Sequence, residues 1–335
     1  GHVRITEIAE RRAAATTVTV GLVQGNQPIE MSGYRDRAAT ELAELQRVSA
    51  ELEAQGAELL VWSEAAYTYP LYRQQSSDRV ISDHASDDPA RIRRGFTVPA
   101  VIGAITLRRG RSLRNHFNSA LMLEPDGRIT GQYDKIYLLL FGEYLPGYEL
   151  LGPIRQLVPP AAGRFVPGER VTVLPFVHDQ THYRLAPMIC YEDILPGLGR
   201  ELAEYRPHLL VNLTNDAWFG DSAEPWQHLA LSVFRAVEMR TDMVRAVNTG
   251  VSAFITADGR ITAHSQVVDP HLPDRPPIPA SGLLGRVALV EGGHTVFARY
   301  GDWLGYSCAA LTLLGCLVWP LYVRRKRSDT TEIPR

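Results

Sequence analysis

Residues 184–196 read RLAPMICYEDILP. An apolar run that stops on a thiol, Cys190, and passes at once into a polar, acidic segment predicts a strand over 184–190 and a helix over about 194–205. The same alternation recurs on both sides. Toward the N-terminus, β-branched and apolar runs predict strands over 18–24, 58–63, 101–107, 117–123 and 129–133. A periodic stretch over 34–55, closed by Gly56, predicts a helix, and a further helical pattern is expected before residue 101. Toward the C-terminus, strands are expected over 208–214, 243–248, 252–257 and 286–290, with a helix over 224–241 and a proline-rich loop over 270–279. Pro125-Asp126-Gly127 and Asp258-Gly259 are hairpin turns. Helical crossovers mixed with tight hairpins point to mixed sheets, and doubled sheets with helices outside would bury this many apolar strands, so the fold class is α/β.

The 335 residues carry 35 Lys and Arg against 37 Asp and Glu, a balance that sets nucleic acid aside as the main partner. The chain has 3 cysteines, two of them inside a C-terminal apolar run, so neither a disulfide framework nor a thiolate zinc site is possible. Cys190 is then either an inert buried thiol or a nucleophile.

Residues 303–323, WLGYSCAALTLLGCLVWPLYV, carry no charge and are long enough as a helix to cross a hydrocarbon core of about 30 Å. Trp303, Tyr306, Trp319 and Tyr322 lie near its ends and Arg324-Arg325-Lys326-Arg327 follows, which predicts a transmembrane helix with its basic end cytoplasmic. The preceding domain would then stand on the outer side of the cytoplasmic membrane. The chain opens without an initiator Met or an apolar signal core, so the expectation is a fragment whose membrane-inserting N-terminal part is missing. The expected organisation is a linker over 1–17, a catalytic domain over 18–291, a connection over 292–302, the membrane helix over 303–323 and a basic tail over 324–335.

Four residues carry candidate chemistry. A strand-to-helix turn at Cys190 would lower the thiol pKa and supply N–H groups for an oxyanion, whereas a buried strand-end Cys would do neither. Glu64, in VWSEAA, ends an apolar strand as either a loop residue or a base at a sheet edge. Lys135, in QYDKIY, reads locally as a surface lysine paired with Asp134. Glu143, in LFGEYLP, would need a paired cation if buried. Together a thiol, two carboxylates and a lysine supply the parts of acyl transfer at a carbonyl, with no metal or cofactor required. His182, His228 and His294 are alternative bases without a spacing that ties them to Cys190, and no G-x-S-x-G turn supports a serine nucleophile.

The segments VWSEAA, YDKIYLLLFGEYLP, MICYEDILP, NLTNDAWFG, PWQH and VRAVNTGVSA resemble the nitrilase (carbon–nitrogen hydrolase) superfamily. FGEYLP, TNDAWFG with PWQH, and TVFARYGDW before the terminal apolar helix resemble its apolipoprotein N-acyltransferase branch, over about residues 18–327. The resemblance implies a four-layer α-β-β-α sandwich with Glu64 as general base, Lys135 as the cation stabilising the tetrahedral intermediate, Cys190 as nucleophile and Glu143 as a second glutamate. It places Tyr191, Glu192 and Trp218 around the acyl site, gives Gln24 and Asn26 a structural or site-lining role, and has Asn215 and Asp216 shape a loop. It further implies a phospholipid acyl donor, a Cys190 thioester, and a diacylated apolipoprotein whose N-terminal amine is the acceptor. The chain departs from the branch at Ser63, Tyr137 and Leu140, and shows no clear aromatic after VQGN, where Gly33 and Tyr34 stand. Without the branch's N-terminal membrane helices the fragment alone is expected to be inactive. A membrane-tethered amidase or nitrilase, and a catalytically dead scaffold of the same fold, are the alternatives.

Overall fold

Every residue of β2 (Leu59–Trp62) is buried, and alternate side chains leave the strand in opposite directions. Leu59 and Val61 enter one apolar layer, while Leu60 and Trp62 enter another with Leu42, Leu45, Val48 and Leu52 of helix α2 (Tyr34–Ala54). β9 (Leu209–Thr214) repeats the arrangement. Leu209, Val211 and Leu213 join the same layer as Leu59, and Leu210 packs toward α3 (Pro196–Ala203) and α4 (Glu224–Met239). A strand with two apolar faces needs a cover on each, which stacks two sheets between helices as four layers, α-β-β-α.

The computed structural model describes residues 2–28, 34–110, 115–145, 164–220, 222–267, 278–293 and 295–329. The first sheet runs β13 (Ser281–Ala288), β1 (Thr17–Gln24), β2, β4 (Ala100–Leu107), β5 (His116–Leu123) and β6 (Ile129–Asp134), with β3 (Tyr67–Tyr72) also pairing with β4. The second runs β12 (Ile261–His264), β11 (Ala253–Ile255), β10 (Met243–Val247), β9, β8 (Thr181–Ile189) and β7 (Leu174–His178). β1, β2 and β4 are parallel, as are β8, β9 and β10, whereas the hairpin-linked strands outside them are antiparallel. Parallel strands end at the same side of a sheet, where open α/β sheets collect their ligands. Glu64 follows β2 and Cys190 follows β8.

Several stretches carry elements that the sequence reading did not name, β7 among them. Residues 1–17, expected as a linker, carry α1 (His2–Ala14), docked by Arg12, whose Nε and Nη2 donate to the two oxygens of Asp242 at 2.8 and 2.9 Å. Asp242 also accepts from the backbone N–H of Ala257 and Ala288, which fixes that helix to both sheets. Before residue 101 the structure has β3 and turns where a helical pattern was expected, because Pro70 lies inside the stretch and removes a helical hydrogen bond. The 292–302 connection contains a short helix, α5 (Val296–Tyr300), whose first turn is capped by Thr295 Oγ1 accepting from the Ala298 N–H at 3.0 Å. The final helix, α6 (Trp303–Asp329), has an 18-residue window, Trp303–Pro320, of mean hydropathy 1.4, long and apolar enough to cross a membrane.

Candidate active site

Glu64 sits in the turn after β2, with the next residue, Ala65, in the left-handed region at φ 50°. That turn lies directly on β4. A Cβ at Gly103 would stand 2.0 Å from the Ser63 carbonyl oxygen, so glycine is what lets the Glu64 backbone settle there. Lys135 is the first residue beyond β6, and its N–H donates to the Asn118 carbonyl at 2.8 Å. Its side chain is 1% exposed, with Nζ 2.9 Å from Glu143 Oε2 and 3.4 Å from Glu64 Oε1. Asn118 Nδ2 completes the cluster, donating to Glu64 Oε1 at 2.7 Å and to Glu143 Oε1 at 3.0 Å. Glu143 Oε2 also accepts from the Leu139 N–H. The local reading of Lys135 with Asp134 is therefore corrected, because Arg73 arrives from 61 residues away and takes Asp134 at 2.6 Å.

Cys190 opens a 3₁₀ turn, Cys190–Ile194, at φ 56°, a left-handed conformation uncommon outside glycine. Its carbonyl accepts from Asn212 Nδ2 at 3.1 Å. The sequence reading expected the turn to lower the thiol pKa. Burial instead pushes it well up, Glu64 adds to the rise, and Lys135 opposes it, so the resting sulfur is a neutral thiol. Burial likewise raises the Glu64 carboxyl against the pull of Lys135. On Lys135 burial favours the neutral amine, but Glu64, Cys190 and Glu143 outweigh it and hold the ammonium protonated. Each of these groups thus feels the others, so a carboxylate, an ammonium and a half-buried thiol share one site.

The remaining expected site residues divide. Tyr191 turns its ring toward Lys135 Nζ, 5.6 Å from the centroid, and its hydroxyl donates to the Leu138 carbonyl at 3.1 Å. Glu192 is fully buried and accepts four bonds, from the N–H groups of Ile136, Tyr137 and Ile189 and the hydroxyl of Tyr133. Burial pushes its carboxyl up to about 7 against these donors. It staples the chain after Lys135 to the chain before Cys190, a supporting position between two of the expected catalytic residues. Gln24 and Asn26 bond to each other at 2.9 Å and brace the end of β1 through Ser252 Oγ and the Pro279 carbonyl. Trp218 is 68% exposed, beside exposed Phe219, in the loop that Asn215 shapes by accepting from Ala217 N–H and Asn248 Nδ2. Leu140 and Phe141, preceding Glu143, are also exposed.

Of the alternative bases, His182 lies exposed on β8, His228 is buried between Asp193 and Asp216, and His294 lies outside the described residues. Asn118 and Arg245 are the residues of this region that sequence reasoning missed. An isolated amide or arginine inside an apolar strand gives no local signal beyond the oddity of a polar residue there.

A family model described as carbon-nitrogen hydrolase matches residues 19–268. Apolipoprotein N-acyltransferase of Geobacter metallireducens is 35% identical over 298 residues, covering 87% of this chain and 51% of that protein. The protein of the same name from Bradyrhizobium diazoefficiens is 32% identical over 273 residues, covering 81% and 45%. The chain thus spans about half the length of the curated relatives it matches. Among solved structures, a mutant amidase from Nesterenkonia sp. AN1, with the acetamide moiety of fluoroacetamide on its active-site cysteine, superposes with TM-score 0.56 at 18% identity, covering 87% of this chain and 96% of that one. Saccharomyces cerevisiae Nit3, of the nitrilase superfamily, gives 0.51 at 16% identity, covering 81% and 90%. With the α-β-β-α layers and a model match across most of its length, the chain belongs to the carbon–nitrogen hydrolase family.

Proposed function

We propose that this chain carries the catalytic centre of an apolipoprotein N-acyltransferase. It would move a fatty acyl chain from a phospholipid, through a Cys190 thioester, to the α-amine of a diacylglyceryl-cysteine. The observation that carries the proposal is a lysine buried between two glutamates and acting on one thiol, beside loops that expose Trp218, Phe219, Leu140 and Phe141. A water-soluble substrate gives no reason to expose those side chains, whereas an acyl chain does. The names of the relatives support the same reading.

In the first half-reaction Glu64 accepts the Cys190 proton as sulfur attacks the ester carbonyl. Burial raises the basicity of the Glu64 carboxylate, and Lys135 opposes the rise that burial imposes on the thiol, both of which favour this transfer. The oxyanion forms beside Lys135, a cation already fixed by Glu143 and Glu64, so little reorganisation is needed. Collapse breaks the ester C–O bond. Glu64 returns its proton to the leaving oxygen, giving a lysophospholipid and the thioester. In the second half-reaction the amine attacks the thioester carbonyl and Glu64 takes its proton. The C–S bond then breaks and the proton returns to sulfur, leaving the amide and a free thiol. The cycle is ping-pong.

Residues 18–291 would form the catalytic unit on the outer side of the cytoplasmic membrane, with 303–323 spanning it and 324–335 cytoplasmic. The test is to incubate the complete protein with phospholipid vesicles and a diacylated lipopeptide and to weigh both. An acyl adduct on Cys190, absent in Cys190→Ala and sharply reduced in Glu64→Gln, followed by N-acylated peptide, is expected. Free fatty acid without N-acylated peptide would reassign the centre to hydrolysis. An adduct persisting in Cys190→Ala would overturn the nucleophile.

A further inference from the structure

A buried cluster behind the thiol takes no part in the steps above. His228, on α4, places Nε2 2.9 Å from Asp193 Oδ1 and Nδ1 3.1 Å from Asp216 Oδ1. An ionised carboxylate only accepts, so both contacts are hydrogen bonds only when both ring nitrogens carry hydrogen. Arg245, fully buried on β10, faces the two aspartates from the other side. Its Nη1 donates to the second oxygen of Asp193 and to Asn212 Oδ1, and Nη2 lies 3.2 Å from Asp216 Oδ2. Two cations and two anions thus alternate around a closed ring. Glu224, 3.8 Å from His228 Nδ1, is the next carboxyl, and Arg235, paired with Glu238, is the next cation toward Asp193. Asp216, Glu224 and His228 lie close enough together to suggest a metal site. Both imidazole nitrogens are already committed, however, and Arg245 holds the other Asp216 oxygen.

The corners of the ring belong to different working parts. Asp193 is in the turn that begins at Cys190, and Asn212, held by Arg245, donates to the Cys190 carbonyl. Asp216 belongs to the loop that presents Trp218 and Phe219, and its charge is felt at the Cys190 sulfur. The loop fits tightly, since a Cβ at Gly250 would stand 2.4 Å from Asp216 Oδ2.

We propose that His228 is a positioning residue which, held as an imidazolium between Asp193 and Asp216, helps clamp the Trp218 loop to the turn bearing Cys190, and that loss of one ring proton loosens the loop while Arg245 remains as the second tie. Burial alone would lower the pKa of His228; the two aspartates outweigh burial and the opposing Arg245, leaving it at about 9. The consequence for acyl transfer rests on the function proposed above, while the clamp itself does not.

The test uses the full chain in detergent or lipid nanodiscs. Nitrogen-15 histidine spectra, assigned by difference from His228→Gln, read the ring protons. Fluorescence anisotropy of wild type minus Trp218→Phe reads the mobility of the loop, whose Trp218 is already exposed. The expected result is a doubly protonated His228 at neutral pH, and a fall in Trp218 anisotropy that tracks loss of the second proton near pH 9. Asp216→Asn, which keeps an acceptor but removes a charge, should shift that transition down by about one unit. If His228→Gln does not fold, the wild-type titration read by anisotropy still decides. A Trp218 signal indifferent to the titration, or a singly protonated His228 at neutral pH, overturns the clamp. Intact spectroscopic behaviour in the complete protein, N-terminal membrane part included, with no acyl transfer at any pH would uphold the clamp and overturn the acyltransferase reading alone.

Discussion

Replacing Lys135 by Met removes the one cation from a buried group whose other charges are Glu64 and Glu143. With all three ionised the wild-type cluster carries one net negative charge. The variant would carry two, and one of its carboxyls restores the original balance by taking up a proton. Protonating a carboxyl of ordinary pKa costs about 4 kcal/mol at pH 7, which caps the electrostatic penalty of the substitution because this escape is always open. The folded variant then binds a proton that its unfolded chain releases. The carboxyl's pKa is raised on folding, and stability falls by about 1.4 kcal/mol for each pH unit above the unfolded value of about 4.3. The penalty relative to wild type should therefore shrink to about 1 kcal/mol at pH 5. Urea denaturation of both proteins in detergent between those two pH values measures it. Adding Glu143→Gln, which returns the cluster to a single negative charge, should recover most of the loss at neutral pH. A penalty that stays constant with pH, or that the second substitution leaves untouched, would refute the view that Lys135 is held by charge balance.

Other outcomes follow from the same geometry. Gly103→Ala drives a methyl into the Ser63 carbonyl, so it should displace the Glu64 turn, lowering thioester formation as well as the denaturation midpoint. Glu192→Ala leaves the N–H groups of Ile136, Tyr137 and Ile189 without their acceptor, and at about 1–3 kcal/mol per buried orphan the chain should unfold at markedly lower urea concentration. Because burial and Glu64 hold Cys190 as the thiol, its alkylation by iodoacetamide should still be accelerating at pH 9; a plateau near neutrality would contradict this. His228 has a folded pKa above its unfolded value of 6.5, so its contribution is complete below that value and fades as pH rises through about 9. That contribution is on the order of 3 kcal/mol, and the alkaline loss should be missing from the denaturation profile of His228→Gln.

The parts of the fold that were legible are those whose signal is local. β2 and β9 are continuous apolar runs, and only burial on both faces accommodates such runs, so the doubled sheet could be read from them. β3 was missed because Tyr67–Tyr72 mixes aromatics with Pro70, and a proline strand pairs only in a context the sequence does not display. α1 was missed because its charged residues show no broad apolar face, and its docking depends on Arg12 meeting Asp242, 230 residues away. The same distinction governs the site. Glu64 and Cys190 each end an apolar run, which marks a sheet edge, whereas Lys135 follows the mixed strand ITGQYD, and nothing adjacent to it says that it pairs with Glu143 and leaves Asp134 to Arg73. Glu192 follows the thiol directly, and nothing beside it says that three of its four bonds reach back more than fifty residues.

The left-handed backbone at Cys190 bears on how such a centre would be lost. A side chain there strains the main chain by about 1 kcal/mol, and glycine alone among the residues relieves it without distortion. In a lineage that stopped using the thiol, a glycine at this position would relieve that strain at the expense of a more flexible unfolded chain, so the substitution would carry little net thermodynamic cost. Position 190 is therefore a useful marker when decayed copies are compared with working ones: abandonment should leave its trace there earlier than in the relaxed strands around it.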